Sequence, residues 1–262
     1  MRTRDYAHLR RFLWVIPAAA LVLLWWVVPP AVGVPTYKAP TPASVVEVLI
    51  DMVRDGRLID AIGASLGRLL LSAVIGTALG AAAGLAMATN TTVLRYLEPL
   101  VTFFQAIAGI AWIPIAILWF GLGSGPVIFV VTNAVFFIVL YNTLQGVQRI
   151  PPALYDAGRV LGATRAQLLW EVSIPGAMVS VLAGTRSGLA FGWRALIGAE
   201  LIVASSGIGF LSLQGARDFR GDIVIACIPV IGVIWMVMDR LLTMIERRTV
   251  QRWGMLRPMG VS

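Results

Sequence analysis

Apolar residues along the chain fall in long, nearly unbroken runs separated by short polar stretches. Six runs are long enough to cross the ~30 Å hydrocarbon core of a bilayer. They are residues 12–32, 66–88, 98–120, 124–143, 176–203 and 223–243. Each is predicted as a helix, because an open backbone in lipid satisfies its own hydrogen bonds only in that form. The first run follows a basic start, MRTRDYAHLRR, much as in a secretion signal. Phe12–Val28 is too long for the apolar stretch of a signal and no small-residue cleavage site follows, so it reads as a retained span.

Two of the connecting stretches are patterned. Within 33–65, Ser44 and Glu47 fit a capping box, and Val45, Val48, Leu49, Met52 and Val53 recur at helical spacing up to Gly56. This predicts an amphipathic helix at the membrane surface, either packed over the bundle or offered to a partner. The second stretch is YDAGRVLGATRAQLLWEVSIP, residues 155–175. Pro151 and Pro152 stop the fourth span and start a new helix. Leu154, Ala157, Val160 and Leu161 form an apolar stripe, with Asp156 and Arg159 on another face. Gly162 is placed to end this helix in a left-handed conformation. Thr164 with Gln167 forms a second capping box, and the helix it opens is expected to close at Pro175. The loop 146–175 therefore reads as two short helices joined at a glycine.

Glycines recur every fourth residue in two spans, at Gly76, Gly80 and Gly84 and at Gly184, Gly188 and Gly192. That spacing lets helix backbones approach closely. It serves packing within the chain, a subunit interface, or a moving wall of a pathway.

Composition places the chain in lipid. It is 58% hydrophobic and 13% charged, where soluble domains carry about 25% charged residues. An even span count puts both termini on one side. If that side is cytoplasmic, the inner segments hold thirteen of the 21 basic residues. The outer segments hold six: Lys38, Arg54, Arg57, Arg68, Arg217 and Arg220. This bias sets the termini, and 155–175, in the cytoplasm. The organisation is then a basic tail (1–11), a first span (12–32), an outer loop (33–65), a five-helix core (66–243) and a cytoplasmic tail (244–262). The +8 charge follows this sidedness and implies no nucleic acid.

Several chemistries are excluded. The only lysine, Lys38, follows Tyr37 and makes no P-loop. One histidine, His8, and one cysteine, Cys227, leave no zinc site and no internal disulfide. The usual tools of an enzyme are missing. Arg186, Arg194 and Glu200 lie in the fifth run, where ionisable groups face a bundle interior or a water-filled cavity. Arg186 and Glu200 pair with neighbouring helices or lie near the interfaces, or Arg194 with Trp193 lines an anion pathway. Gln105, Asn133, Tyr141 and Asn142 are further polar groups within spans, either interhelical glue or pathway.

The 155–175 stretch resembles a family signature. Permease subunits of ABC importers carry Glu-Ala-Ala, three residues, Gly, nine residues, then Ile-x-Leu-Pro. Here Asp156-Ala157-Gly158, Gly162 and Val172-Ser173-Ile174-Pro175 keep that spacing, with Asp for Glu and Gly158 for Ala. Residues 109–123 (GIAWIPIAILWFGLG), 191–211 (FGWRALIGAELIVASSGIGFL) and 215–226 (GARDFRGDIVIA) are similar to the sulfonate, taurine and nitrate permeases. The likeness covers most of 40–245.

The resemblance implies an all-α integral membrane protein with six transmembrane helices in the type I ABC importer permease fold. It implies a homodimer in a bacterial inner membrane and an extracytoplasmic binding protein. Two cytoplasmic ATPase subunits hold ATP and Mg, while this chain binds no cofactor. Asp156, Ala157, Gly158, Gly162, Ala163, Thr164 and Pro175 would couple it to the ATPase. The expected cargo is a small anion of the sulfonate or taurine type. Alternatives are nitrate, an aromatic carboxylate or a vitamin precursor, or a membrane enzyme with its site near Arg194 and Glu200.

Overall fold

The computed structural model describes residues 15–33, 35 and 37–252, and every regular element among them is helical. In chain order they are α1 (Val15–Ala31), α2 (Pro42–Arg54), α3 (Arg57–Thr89), α4 (Thr91–Ala106), a 3-10 turn (Gly109–Trp112), α5 (Ile113–Phe120) and α6 (Ser124–Gln148). Then follow α7 (Pro152–Val160), α8 (Arg165–Leu168), a π turn (Leu169–Ser173), α9 (Ile174–Val203), α10 (Ile208–Arg217) and α11 (Gly221–Arg252). The described residues form two compact units, those up to 61 with 211–230, and 62–210 with 231–252.

In the first unit, Trp25 Nε1 of α1 donates to the Pro40 carbonyl at 3.1 Å. Helix α2 buries Val45, Val48 and Met52. Its cap differs from the expected Ser44–Glu47 box. Thr41 is the N-cap, accepting from the Ser44 amide at 3.3 Å, while the Ser44 hydroxyl donates to the Thr41 carbonyl at 2.8 Å. Pro42 sits in the first turn with its backbone pre-set for a helix, so the helix starts ahead of Ser44. Helix α3 begins at Arg57, so the last part of the predicted outer loop is already helical.

The second unit is built around α6. Val127, Val130, Val131, Val135, Val139 and Leu140 are each 0% exposed. Both glycine ladders press on this helix. A Cβ added at Gly76, Gly80 or Gly84 of α3 would lie 2.9, 2.6 and 2.5 Å from the α6 carbonyl oxygens of Thr132, Phe136 and Leu140. On α9, Gly184, Gly188 and Gly192 abut Asn142, Val135 and Val131 of the same helix. The ladders therefore serve packing within the chain, one on each neighbour of α6. Without a hydrophobic drive between helices in lipid, such close backbone approach is what supplies the dispersion contact.

Among the described residues, four helical stretches are long and apolar enough to span a membrane: Arg57–Thr89, Ser124–Gln148, Arg165–Val203 and Gly221–Glu246. A fifth is counted if the pair Thr91–Ala106 and Gly109–Phe120 forms one broken span. Helix α1, 17 residues long, covers the described part of the first expected span, whose residues 12–14 lie outside the described residues. Six spans are thus not reached by this measure.

The third expected span, 98–120, is no single rod, since its two halves meet at 94°. The bend falls at Ile107–Ala108; beyond it, Pro114 has no amide proton for the Ile110 carbonyl, so the 3-10 turn does not run on into α5 as one α-helix. In the first turn of a new helix the missing donor costs nothing, and that is where it sits. Pro175 likewise does not close its helix as expected. The chain stays helical from Arg165 to Val203, and the π turn widens just before Pro175, relieving the ring against the Glu171 carbonyl.

Candidate functional site

The 151–175 loop is fixed at both internal ends by local hydrogen bonds. At the end of α7 the Gly162 amide donates to the Arg159 carbonyl at 3.0 Å, and the Ala163 amide to the Gly158 carbonyl at 2.9 Å. This paired closure needs a left-handed residue at its centre, and Gly162 has φ +81. Two residues later Thr164 and Gln167 form the expected capping box. The Gln167 amide donates to Thr164 Oγ1 at 3.3 Å, and the Thr164 amide to Gln167 Oε1 at 2.8 Å.

The two faces of α7 differ. Leu154 is 53%, Val160 87% and Leu161 86% exposed, and Ala157 is exposed beside them. Asp156 and Arg159 pair at 3.0 Å, three residues apart and in the open, an arrangement worth little by itself. The opposite face carries Tyr155 and Gly158. Tyr155 packs on the buried cluster of Val147, Ile150 and Ala177. A Cβ at Gly158 would lie 2.6 Å from Leu168 Cδ2. The glycine that replaces the family's alanine is therefore a close-approach position that lets α7 lie against α8. A cleft of about 750 Å³ runs beside this contact, lined by Thr89, Asn90, Tyr155, Arg159, Arg165 and Ser173 among others.

A second polar cluster joins four elements of the same unit. Glu200 of α9 is 0% exposed and Arg68 of α3 is 6% exposed. Arg68 Nη1 donates to Glu200 Oε1 at 2.7 Å and to the Ser206 carbonyl at 2.8 Å. Its Nε donates to Ser124 Oγ at 3.0 Å, at the start of α6. Glu200 also accepts from Ser65 Oγ at 2.8 Å and from the Gly209 amide at 3.0 Å. Ser65 Oγ in turn accepts from the Ile208 amide at 3.0 Å. A buried ion pair stabilises only when its remaining lone pairs and protons find partners, and here the carboxylate is surrounded by donors. Glu200 therefore faces no open cavity in this structure. Charge sidedness by itself counts Arg68 with the outer segments. The signal available was one cation and one anion, each set in an apolar run.

Arg186 of α9 bonds to Asp239 Oδ1 through Nε at 3.0 Å and Nη2 at 2.9 Å, and to Glu246 Oε2 through Nη1 at 3.1 Å. Both carboxylates lie on α11, so Arg186 joins two helices. Trp193 is buried at 4% exposure, whereas Arg194 is exposed and lies 5.5 Å from the Phe191 ring centroid. The two neighbours thus face different surroundings. Tyr141 shares a hydrogen bond with Thr102 of α4 at 3.0 Å. Gln105, one turn further along α4, is exposed at the approach to the helix break. Asn142 Nδ2 donates to the Ile138 carbonyl of its own helix at 2.8 Å, and Asn133 is half-buried on α6. The candidate pathway residues therefore divide. Gln105 and Tyr141 flank the break, Asn133 and Asn142 lie along α6, and Trp193, Arg194 and Glu200 are distributed along α9.

The all-helical bundle has the fold of ABC importer permeases of known structure. One structural neighbour is an inward-facing form of the MetNI methionine ABC transporter, with TM-score 0.62, 18% identity, and coverage of 75% of this chain and 95% of that one. Residues 76–251 match the family described as binding-protein-dependent transport system inner membrane component, and the chain belongs to that family. The taurine transport system permease protein TauC of Escherichia coli (strain K12) is 33% identical over 258 residues, 92% of this chain and 94% of that protein. A Bacillus subtilis (strain 168) permease protein named for aliphatic sulfonates transport, SsuC, is 26% identical over 242 residues, covering 91% of this chain and 88% of that protein. The chain is thus a non-catalytic ABC importer permease subunit.

Proposed function

We propose that two copies of this chain form the pathway of an ATP-driven importer in a bacterial inner membrane, with both termini cytoplasmic. An extracytoplasmic binding protein delivers the solute. Two ATPase subunits hold ATP and Mg, and each receives one α7 in a groove. Closure of the ATPase dimer then drives alternating access. The observation that carries this reading is the uncovered stripe Leu154, Ala157, Val160 and Leu161 on a helix that starts at Pro152 and is closed by the Gly162 turn. Burying one large aliphatic side chain of this kind contributes about 1.5–3 kcal/mol, and a helix laid in a groove is a recurrent recognition mode.

The cargo is a small sulfonate-type anion, a reading supported by the relatives named for taurine and aliphatic sulfonates. Its route passes the break after Ala106, where Gln105 and the Thr102–Tyr141 pair lie. Non-helical backbone at membrane depth is tolerated where it lines a cavity or is buried in protein, and broken helices recur at transport sites. Arg194, exposed on α9, is a cation available to the same anion.

The deciding experiment is co-purification of Leu161→Asp with the ATPase. The variant inserts normally, loses the ATPase and loses transport. An intact complex that still transports would overturn the docking role of α7. Calorimetry of the binding protein against taurine, an alkanesulfonate and nitrate tests the cargo, and failure to bind any of them would end the anion assignment.

A further inference from the structure

Two contacts join α7 to the segment that leads into α9, one on α8 and one on the π turn. One is apolar, Gly158 against Leu168. The other is polar, since the Tyr155 hydroxyl lies 3.0 Å from Ser173 Oγ. Ser173 is 1% exposed and closes the π turn, its Oγ lying 3.4 Å from the Leu168 carbonyl. A π turn carries one surplus residue within a helix and marks a place where register can change. Beside it lies the cleft of about 750 Å³, with Tyr155 and Ser173 in its wall, so α7 has room to swing away from α9.

We infer that Tyr155, through the Ser173 hydroxyl, is the positioning residue that makes α7 and α9 move as one piece. This rests on the docking of α7 described above. The apolar stripe engages the ATPase, and the opposite face transmits the displacement. A hydroxyl pair at the π turn resists sliding because both partners are fixed, Ser173 by burial and Tyr155 by its ring in the Val147, Ile150 and Ala177 cluster. The apolar contact at Gly158 has no such directionality and permits sliding.

The test uses the complete importer in liposomes, with spin labels at Ala153→Cys on α7 and Ser187→Cys on α9. The one native cysteine, Cys227, is buried and stays unlabelled. In the otherwise unaltered protein the 153–187 distance is the same before and after trapping with ATP and vanadate. In Tyr155→Phe, and equally in Ser173→Ala, the distance changes on trapping while the ATPase remains bound. Stimulation of ATP hydrolysis by loaded binding protein then falls about fivefold, the scale of one net hydrogen bond. The double variant is no worse than either single, as for two ends of one contact. A distance that already changes in the parent protein overturns the tether, as do singles that leave distance and stimulation unaltered or losses that add. Retention of the ATPase by Leu161→Asp sinks the docking reading instead, so the two failures are distinguishable.

Discussion

Replacing Gly80 by alanine tests the packing that organises the core. The new methyl carbon would lie 2.6 Å from the Phe136 carbonyl oxygen, 3.0 Å from Val139 Cβ and 3.2 Å from the Leu140 nitrogen. These are backbone and Cβ atoms, so no rotamer change removes the overlap. Ordinary contact starts at 3.4 Å, which means α3 must retreat by about 0.8 Å from α6. A radial gap of that size forfeits a quarter to a half of each dispersion well it opens, and overpacking of this kind costs about 1–3 kcal/mol. Alanine also favours a helix over glycine by about 1 kcal/mol, which offsets part of the loss. Gly67→Ala isolates that gain, since Gly67 lies on the same helix with nothing within 4 Å of its added Cβ. The assay is thermal unfolding of both variants in one detergent. At about 2–4 °C per kcal/mol for a chain of this size, Gly80→Ala unfolds several degrees below Gly67→Ala. Equal midpoints would refute the close approach of α3 to α6.

Glu200→Ala leaves the Arg68 guanidinium buried without its counter-charge, and removing one member of a buried pair costs about 3–5 kcal/mol. Yield and thermal midpoint in detergent both drop, and an unchanged midpoint would argue against the burial of this pair. Glu200→Gln keeps an acceptor for Ser65 and the Gly209 amide, so it falls between Glu200→Ala and the parent. Gly162→Asp forces a side chain into a left-handed backbone, at about 1–2 kcal/mol. The protein still inserts, and substrate-stimulated ATPase activity in the assembled importer is lost. Persistence of that activity would count against the role of this turn.

The chain's own order of residues determined what depends on neighbours three or four positions away. The Gly162 turn, the Thr164–Gln167 box and the apolar stripe of α7 follow from such short-range contacts, and each forms as expected. Solvent preference likewise marks the apolar runs, whatever their partners. Even at short range an expected cap can lose to a neighbour, as Ser44 does to Thr41, because Pro42 fixes the first helical turn.

Only the tertiary structure decided the rest. Glu200 and Arg68 are 132 positions apart, so nothing local assigns one to the other. Four-residue glycine spacing states that something approaches closely, and the fold identifies it as the two sides of α6. In sequence Gly158 is only a departure from the family's alanine, while in the fold it is the space that Leu168 occupies. The fresh start of α5 at Pro114 and the π turn before Pro175 belong to the same class, because a proline permits either an end, a bend or a widening. Which of these occurs is set by what the flanking helices pack against, and that information lies outside the local sequence.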